Sequence, residues 1–350
     1  MINHPTTPQS AFDGANKDTI LSDFPTEFMS HVNGLIESSS TDIGLLKVMP
    51  ANDWIERAKT RPIPKDLYKQ LWHEGEVCIL FADTNLGKSI LAVQIADHLS
   101  RTEKVLVADF ELSDKQFEVR YSRDYTDHYK FNSNFFRIEI NPEAMMPGGI
   151  SFEDYLTQSL EQTITSTGAK ILIIDNITYL RTETEKAKDA LPLMKQLKAL
   201  KNKYGLSILC LAHTPKRDLS KPITRNDLQG SKMLINFCDS CFAIGESTTD
   251  KALRYIKQIK ARATEIIYDA DNVAVYQVVK PGNFLHFEFI NYGKESDHLR
   301  QQTDNDKEAL TAKILDLKKS GKSLREIGTE LGISHMKVNR LLKAAPPENL

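Results

Sequence analysis

The stretch Glu76-Val-Cys-Ile-Leu-Phe81-Ala82-Asp83-Thr84-Asn85-Leu86-Gly87-Lys88-Ser89 decides the fold of this chain. A run of strand composition, Glu76–Phe81, leads into a loop. Lys88 then opens a stretch, Lys88–Ser100, that reads as a helix. In such a strand–loop–helix unit, backbone N–H groups and a helix N-terminus together form a positive concavity that suits phosphate. Ala82 to Ser89 follow the P-loop pattern G-x-x-x-x-G-K-[ST] except at its first position, where Ala82 replaces glycine. Alanine resists backbone conformations that glycine tolerates, so an atypical loop is expected. Ala82, Asp83, Thr84, Asn85, Leu86 and Gly87 would line the cradle of a bound ATP. Lys88 would neutralise its β- and γ-phosphates, and the Ser89 hydroxyl would be a ligand to Mg²⁺. A Gly-Lys-Ser also occurs by chance at helix starts, and the acids downstream argue against that here.

Outward from this unit, apolar runs alternate with longer amphipathic ones. Strands are expected at 105–110, 135–140, 170–175, 207–212 and 240–245, and helices at 113–121, 151–167 and 186–204. Continuous apolar strands separated by helices imply an α/β fold, a parallel sheet covered on both faces. Strands within 253–288, broken at 269–272 and at Pro281-Gly282, would extend the sheet edge. Ile171-Leu-Ile-Ile-Asp175 describes a buried strand that delivers a carboxylate to the ligand-binding edge, so Asp175 is the second expected Mg²⁺ ligand. Glu111, just past another strand, is the candidate base for the attacking water, or alternatively a cap for the helix from Ser113.

The chain has 350 residues, 41% hydrophobic and 26% charged, with a net charge of −2. Any nucleic-acid contact must therefore come from local basic surfaces. Cys78, Cys210, Cys238 and Cys241 read as buried structural cysteines. Cys238 and Cys241 form a CxxC, but no second pair stands at zinc-ligand spacing. The polar opening shows no signal peptide and no apolar run is long enough for a membrane span, so a cytoplasmic protein is expected. Residues 1–50 read as a polar arm with one apolar patch at 28–36, and 51–292 as the main domain beginning with a helix. Residues 293–307 read as a linker, and 308–345 as a small helical domain.

Within that last domain, Ser323 with Glu326 forms a capping box, Gly332 stands at a turn, and Ser334 caps a second helix. Leu324, Ile327, Leu331, Ile333, Val338 and Leu341 have the spacing of two short crossed helices, and Gly328 lets them approach. This pattern resembles the helix–turn–helix of resolvases and sigma-like regulators. Ser334, His335, Lys337, Asn339, Arg340 and Lys343 would then face duplex DNA, or else the module is a protein-binding adaptor.

Residues 61–289 resemble the RecA-like hexameric helicase ATPases of the replicative-helicase and plasmid RepA type. The likeness lies in the P-loop, Phe110-Glu111-Leu112-Ser113, Leu211-Ala212-His213-Thr214, Asp227-Leu-Gln-Gly-Ser231 and Tyr255-Ile-Lys-Gln-Ile-Lys260-Ala-Arg262. It implies that Glu111 is the catalytic base and that His213 senses the γ-phosphate. It also implies that Lys260 and Arg262 reach into a neighbouring subunit's site within a homo-oligomer, a hexamer. Two loops, 181–189 and 214–229, correspond to those that hold single-stranded DNA, the second through Lys216, Arg217, Lys221 and Arg225. The expected protein is an oligomeric helicase or remodelling ATPase that maintains a plasmid or mobile element. Its rivals are an ATP-switched regulator without helicase activity and a signalling ATPase with a protein-binding C-terminal module.

Overall fold

The computed structural model describes residues 41–180, 190–215, 217–228, 232–301, 304–331, 333 and 335–344, in two compact units divided between Ile63 and Pro64. The expected apolar patch at 28–36 lies outside these residues. In the first unit, strands β1 (Thr41–Ile43) and β2 (Leu46–Val48) pair antiparallel and precede helix α1 (Ala51–Lys59).

The second unit opens with the short pair β3 (Asp66–Tyr68) and β4 (Trp72–His73). Then follow β5 (Val77–Ala82), α2 (Lys88–Ser100), β6 (Val105–Asp109), α3 (Asp114–Arg120), β7 (Ser122–Arg123), β8 (Asp127–His128) and β9 (Phe135–Ile138). Next come α4 (Phe152–Thr167), β10 (Ile171–Asp175), α5 (Ala190–Tyr204), β11 (Ser207–His213), α6 (Lys232–Phe237) and β12 (Ser240–Glu246). Three strands, β13 (Leu253–Lys260), β14 (Val273–Val279) and β15 (His286–Gly293), end the sheet region. The first part of the expected helix 186–204 lies outside the described residues; α5 is described from Ala190.

One nine-stranded sheet runs in the order β15-β14-β13-β12-β5-β11-β10-β6-β9. The six strands from β12 to β9 are parallel, and β13, β14 and β15 join antiparallel, as the edge extension anticipated. The parallel strands read as unbroken apolar runs because each buries both faces. Ile79 and Phe81 of β5 pack with Leu193 and Leu197 of α5, whereas Cys78 and Leu80 pack with Leu91 and Ile95 of α2. All four cysteines are buried and free, as their apolar surroundings suggest. Among the described residues, no helix is long and apolar enough to cross a membrane.

The run 293–307 departs from the linker expectation. Glu295–His298 form a 3-10 turn, and Glu295 is only 1% exposed. Its carboxylate accepts from the buried Lys257 ammonium and, at 2.6 Å, from the Ile223 backbone N–H. Arg300 N–H donates to the Leu219 carbonyl at 2.9 Å. Polar composition had read as solvated chain, but the charge here is paired inside the fold. Glu295→Ala is expected to cost about 3–5 kcal/mol, because it strands the Lys257 ammonium without its counter-charge. Denaturant unfolding checks this, and Glu295→Ala with Lys257→Met should recover much of the loss.

The C-terminal residues form α7 (Asp304–Lys319), α8 (Leu324–Glu330) and α9 (His335–Ala344) around Ile314, Ile327, Val338 and Leu342. Ser323 Oγ accepts from Glu326 N–H at 3.3 Å and Ser323 N–H donates to Glu326 Oε2 at 2.8 Å, which completes the capping box. A Cβ on Gly328 would lie 2.7 Å from the Ile333 carbonyl oxygen, so the close approach of α8 to the following turn requires glycine there.

Candidate active site

Strand register brings the chemistry to one edge. His213 at the end of β11 lies beside Ala82 at the end of β5, and Asp175 beside Asp109. Ala82 is the last residue of its strand, in extended conformation, and its carbonyl accepts from Thr214 N–H at 3.1 Å. The missing glycine therefore leaves no left-handed position to be filled. The left-handed residues are Asn85 (φ 64) and Gly87 (φ 93), and asparagine tolerates that region better than most side chains. Gly87 carries a second demand, because a Cβ there would come within 2.9 Å of Phe287. Gln94 of α2 clamps the backbone of Phe287 with two hydrogen bonds, at 3.0 and 2.9 Å, and so seats β15 against the loop.

Lys88 is buried, with its Nζ donating to the Ala82 and Asp83 carbonyls, each at 3.2 Å, and lying 3.2 Å from His213 Nδ1. Burial lowers its pKa, opposed by the charges of Asp175, Glu111 and Asp83. On its other side, His213 Nε2 lies 3.3 Å from Glu111 Oε1. The hydrogen bond from His213 leads in holding the Glu111 carboxyl below its usual range. The Asn176 amide and the Lys88 charge act the same way, against partial burial. Asp175, 3% exposed, is pushed up to about 7, mainly by burial, with the Glu111 and Asp109 charges adding and Ser89 opposing.

Two further parts were not anticipated. Asn176 follows Asp175 directly and donates from Nδ2 to Glu111 Oε1. Asp109 accepts from the N–H groups of Glu111 at 3.2 Å and Leu112 at 3.0 Å, and Arg137 Nε donates to it at 3.0 Å. These bonds set the turn that carries Glu111. The signal for Asp109 was its position at a strand end next to Glu111. Arg137 sits on a different strand and left no local trace.

Asp175 Oδ1 is buried and has no hydrogen-bond partner among the described residues. A buried acceptor left open beside Ser89 and Lys88 fits a divalent cation, so Ser89 and Asp175 are the residues that would hold Mg²⁺.

Lys260 and Arg262 do not join this site. Lys260 pairs with Cys241, whose neighbour on β5 is Ile79, three residues before Ala82. At roughly 3.3 Å per residue, it sits about 10 Å back from the phosphate edge. Its ammonium donates to the carbonyls of Ile235, Asn236 and Cys238, and Arg262 pairs with Asp239 at 3.0 Å.

The candidate DNA residues differ in their surroundings. Arg217 differs from the expected solvent-facing cation. Its side chain is 6% exposed and is held by the Lys221 carbonyl at 2.7 Å and by Asp227 at 3.6 Å, because the loop folds back over it. Lys221 and Arg225 are exposed, with Lys221 paired to Asp218 at 3.3 Å. On α9, His335, Asn339, Arg340 and Lys343 are exposed, and Lys337 is half-buried. Lys216, Ser334, Gly332, residues 181–189 and residues 229–231 lie outside the described residues.

Comparison with curated proteins gives no match. Residues 46–218 match the family model of the AAA domain, and the matched segment contains Ala82–Ser89, Glu111, Asp175 and His213. The matched segment is similar to AAA domains, P-loop ATPase modules, and lies on a mostly parallel sheet.

Proposed function

We propose that the chain is an ATP-hydrolysing, DNA-binding protein of the RepA-like helicase or strand-remodelling kind, working as a homo-oligomer, a hexamer, in maintenance of a plasmid or mobile element. The observation that carries the hydrolytic part is the joined series Lys88–His213–Glu111 beside Asp175 at one sheet edge. Lys88 binds the phosphates, Glu111 accepts the proton of the attacking water, and His213 links the two. Ser89 and Asp175 would hold Mg²⁺, which would supply charge neutralisation on the phosphates.

The DNA part rests on α8 and α9, a close-packed pair presenting His335, Asn339, Arg340 and Lys343 to solvent, the donor types that meet base edges and phosphates. Lys221 and Arg225 add a second basic surface, suited to single-stranded backbone. The oligomer rests on Lys260 and Arg262. They are too far back to serve their own chain, so a phosphate contact by either needs a second copy. Arg262, 56% exposed, would exchange its Asp239 partner for phosphate.

The test is ATPase rate across oligomer fractions, with and without single-stranded DNA, using Lys88→Ala as the inactive reference. Stimulation by the strand and a collapse of rate in Arg262→Ala are expected. A rate indifferent to DNA removes the motor and leaves an ATP-switched regulator. Unchanged duplex binding after deletion of 307–350 assigns the C-terminal helices to a protein partner.

A further inference from the structure

Asn176 is 3% exposed and stands at the end of β10, between the expected metal ligand and the start of a 3-10 turn. Phe110 N–H donates to the Asp175 carbonyl at 2.8 Å, so the two strand ends carry Glu111 and Asn176 side by side. Protonation logic assigns the bonds among them. An ammonium offers only donors, so with Lys88 Nζ 3.2 Å from His213 Nδ1, that nitrogen accepts. A neutral ring then carries its hydrogen on Nε2, which donates to Glu111 Oε1 at 3.3 Å. Nε2 has no lone pair left for Asn176, although the amide nitrogen is 3.1 Å away. The Asn176 amide therefore also serves Glu111 Oε1. Both donors meet one carboxylate oxygen, while Glu111 Oε2 has no hydrogen bond among the described residues and is left to accept from water.

We propose that Asn176 is a positioning residue for hydrolysis: its amide fixes Glu111 Oε1 against His213 and so leaves Oε2 as the proton acceptor. This rests on the reading of Glu111 as base. Orientation matters because a general base acts only within hydrogen-bond reach of the proton it takes, and a small misplacement costs orders of magnitude.

Steady-state ATPase kinetics of the full chain test it. Asn176→Ala should lower kcat by about 10- to 100-fold with KM for ATP within about twofold. Its acid limb should move to higher pH, because the Glu111 carboxylate loses a donor. Asn176→Asp keeps the shape but replaces the donor with a carboxylate, and should lose at least as much activity. Glu111→Gln with Asn176→Ala should be no slower than Glu111→Gln alone, since residues acting through one group do not add. The proposal is overturned by a wild-type kcat in a folded Asn176→Ala, by activity retained in Asn176→Asp, or by Asn176→Ala multiplying the Glu111→Gln defect. If Asn176→Ala does not fold, Asn176→Asp decides. A fully active Glu111→Gln would instead overturn the base assignment itself.

Discussion

Glu111→Gln is expected to lower kcat for ATP about 10³-fold while ATP still binds. The substitution keeps the size and hydrogen-bonding outline of the side chain but removes the carboxylate that takes the proton. The cradle from Ala82 to Ser89 is untouched, because Glu111 reaches it only through His213 and the Lys88 charge. Binding and chemistry should therefore separate: equilibrium titration with a fluorescent ATP analogue should give an affinity within a few-fold of the parent, and phosphate release should nearly cease. Lys88→Ala provides the contrast, because it removes the ammonium that meets the phosphates and should weaken binding as well. A glutamine variant that hydrolyses ATP at the parental rate would place the base elsewhere. The Asp109–Arg137 pair beneath Glu111 makes a sharper comparison possible. Disturbing that pair moves the turn rather than the charge, so its effect should be smaller than deleting the carboxylate.

Much of this architecture is legible in the sequence, because local rules and burial point the same way. Short unbroken apolar runs rich in β-branched residues, such as Ile171–Ile174, read as strands buried on both faces. Ser113 with Gln116 forms a capping box at the start of α3, as Ser323 with Glu326 does before α8. The strand-end acids were visible for the same reason, a charge closing an apolar run. What stayed hidden depends on partners far apart in the chain. Glu295 meets Lys257 across 38 residues, and nothing around 295 marks it as buried. Asn176 carries no motif, and its role exists only because Glu111 arrives beside it from β6. Arg217 looked like a solvent cation because composition reports charge and not the fold of the loop around it. Ala82 shows the opposite case. The pattern records glycine there, but the backbone at that place is an ordinary strand end, and the left-handed geometry falls on Asn85 and Gly87.

Asp175→Asn is expected to abolish hydrolysis and at the same time stabilise the metal-free protein above neutral pH. The carboxyl is buried, and burial raises it from 3.8 to about 7. A carboxyl raised in the folded state favours folding while it is protonated. Its contribution is fully present below about pH 4, and it fades as pH climbs through about 7, where the fold must hold a buried charge. Asparagine never takes that charge. The difference in unfolding free energy between mutant and parent should thus be small at pH 4 and grow to about 2–4 kcal/mol in favour of the mutant by pH 8. Denaturant unfolding of both proteins in chelator at the two pH values reads the difference directly, and other titrating groups cancel in it. Adding Mg²⁺ with a non-hydrolysable ATP analogue should reverse the order at pH 8. Binding to the native state stabilises the parent by mass action, whereas the mutant has lost the anion that repays the burial. Parallel pH profiles for the two proteins, with equal stabilisation by the magnesium nucleotide, would mean that Asp175 is a neutral structural group. The strained charge at the end of β10 would then have no part in holding the cation.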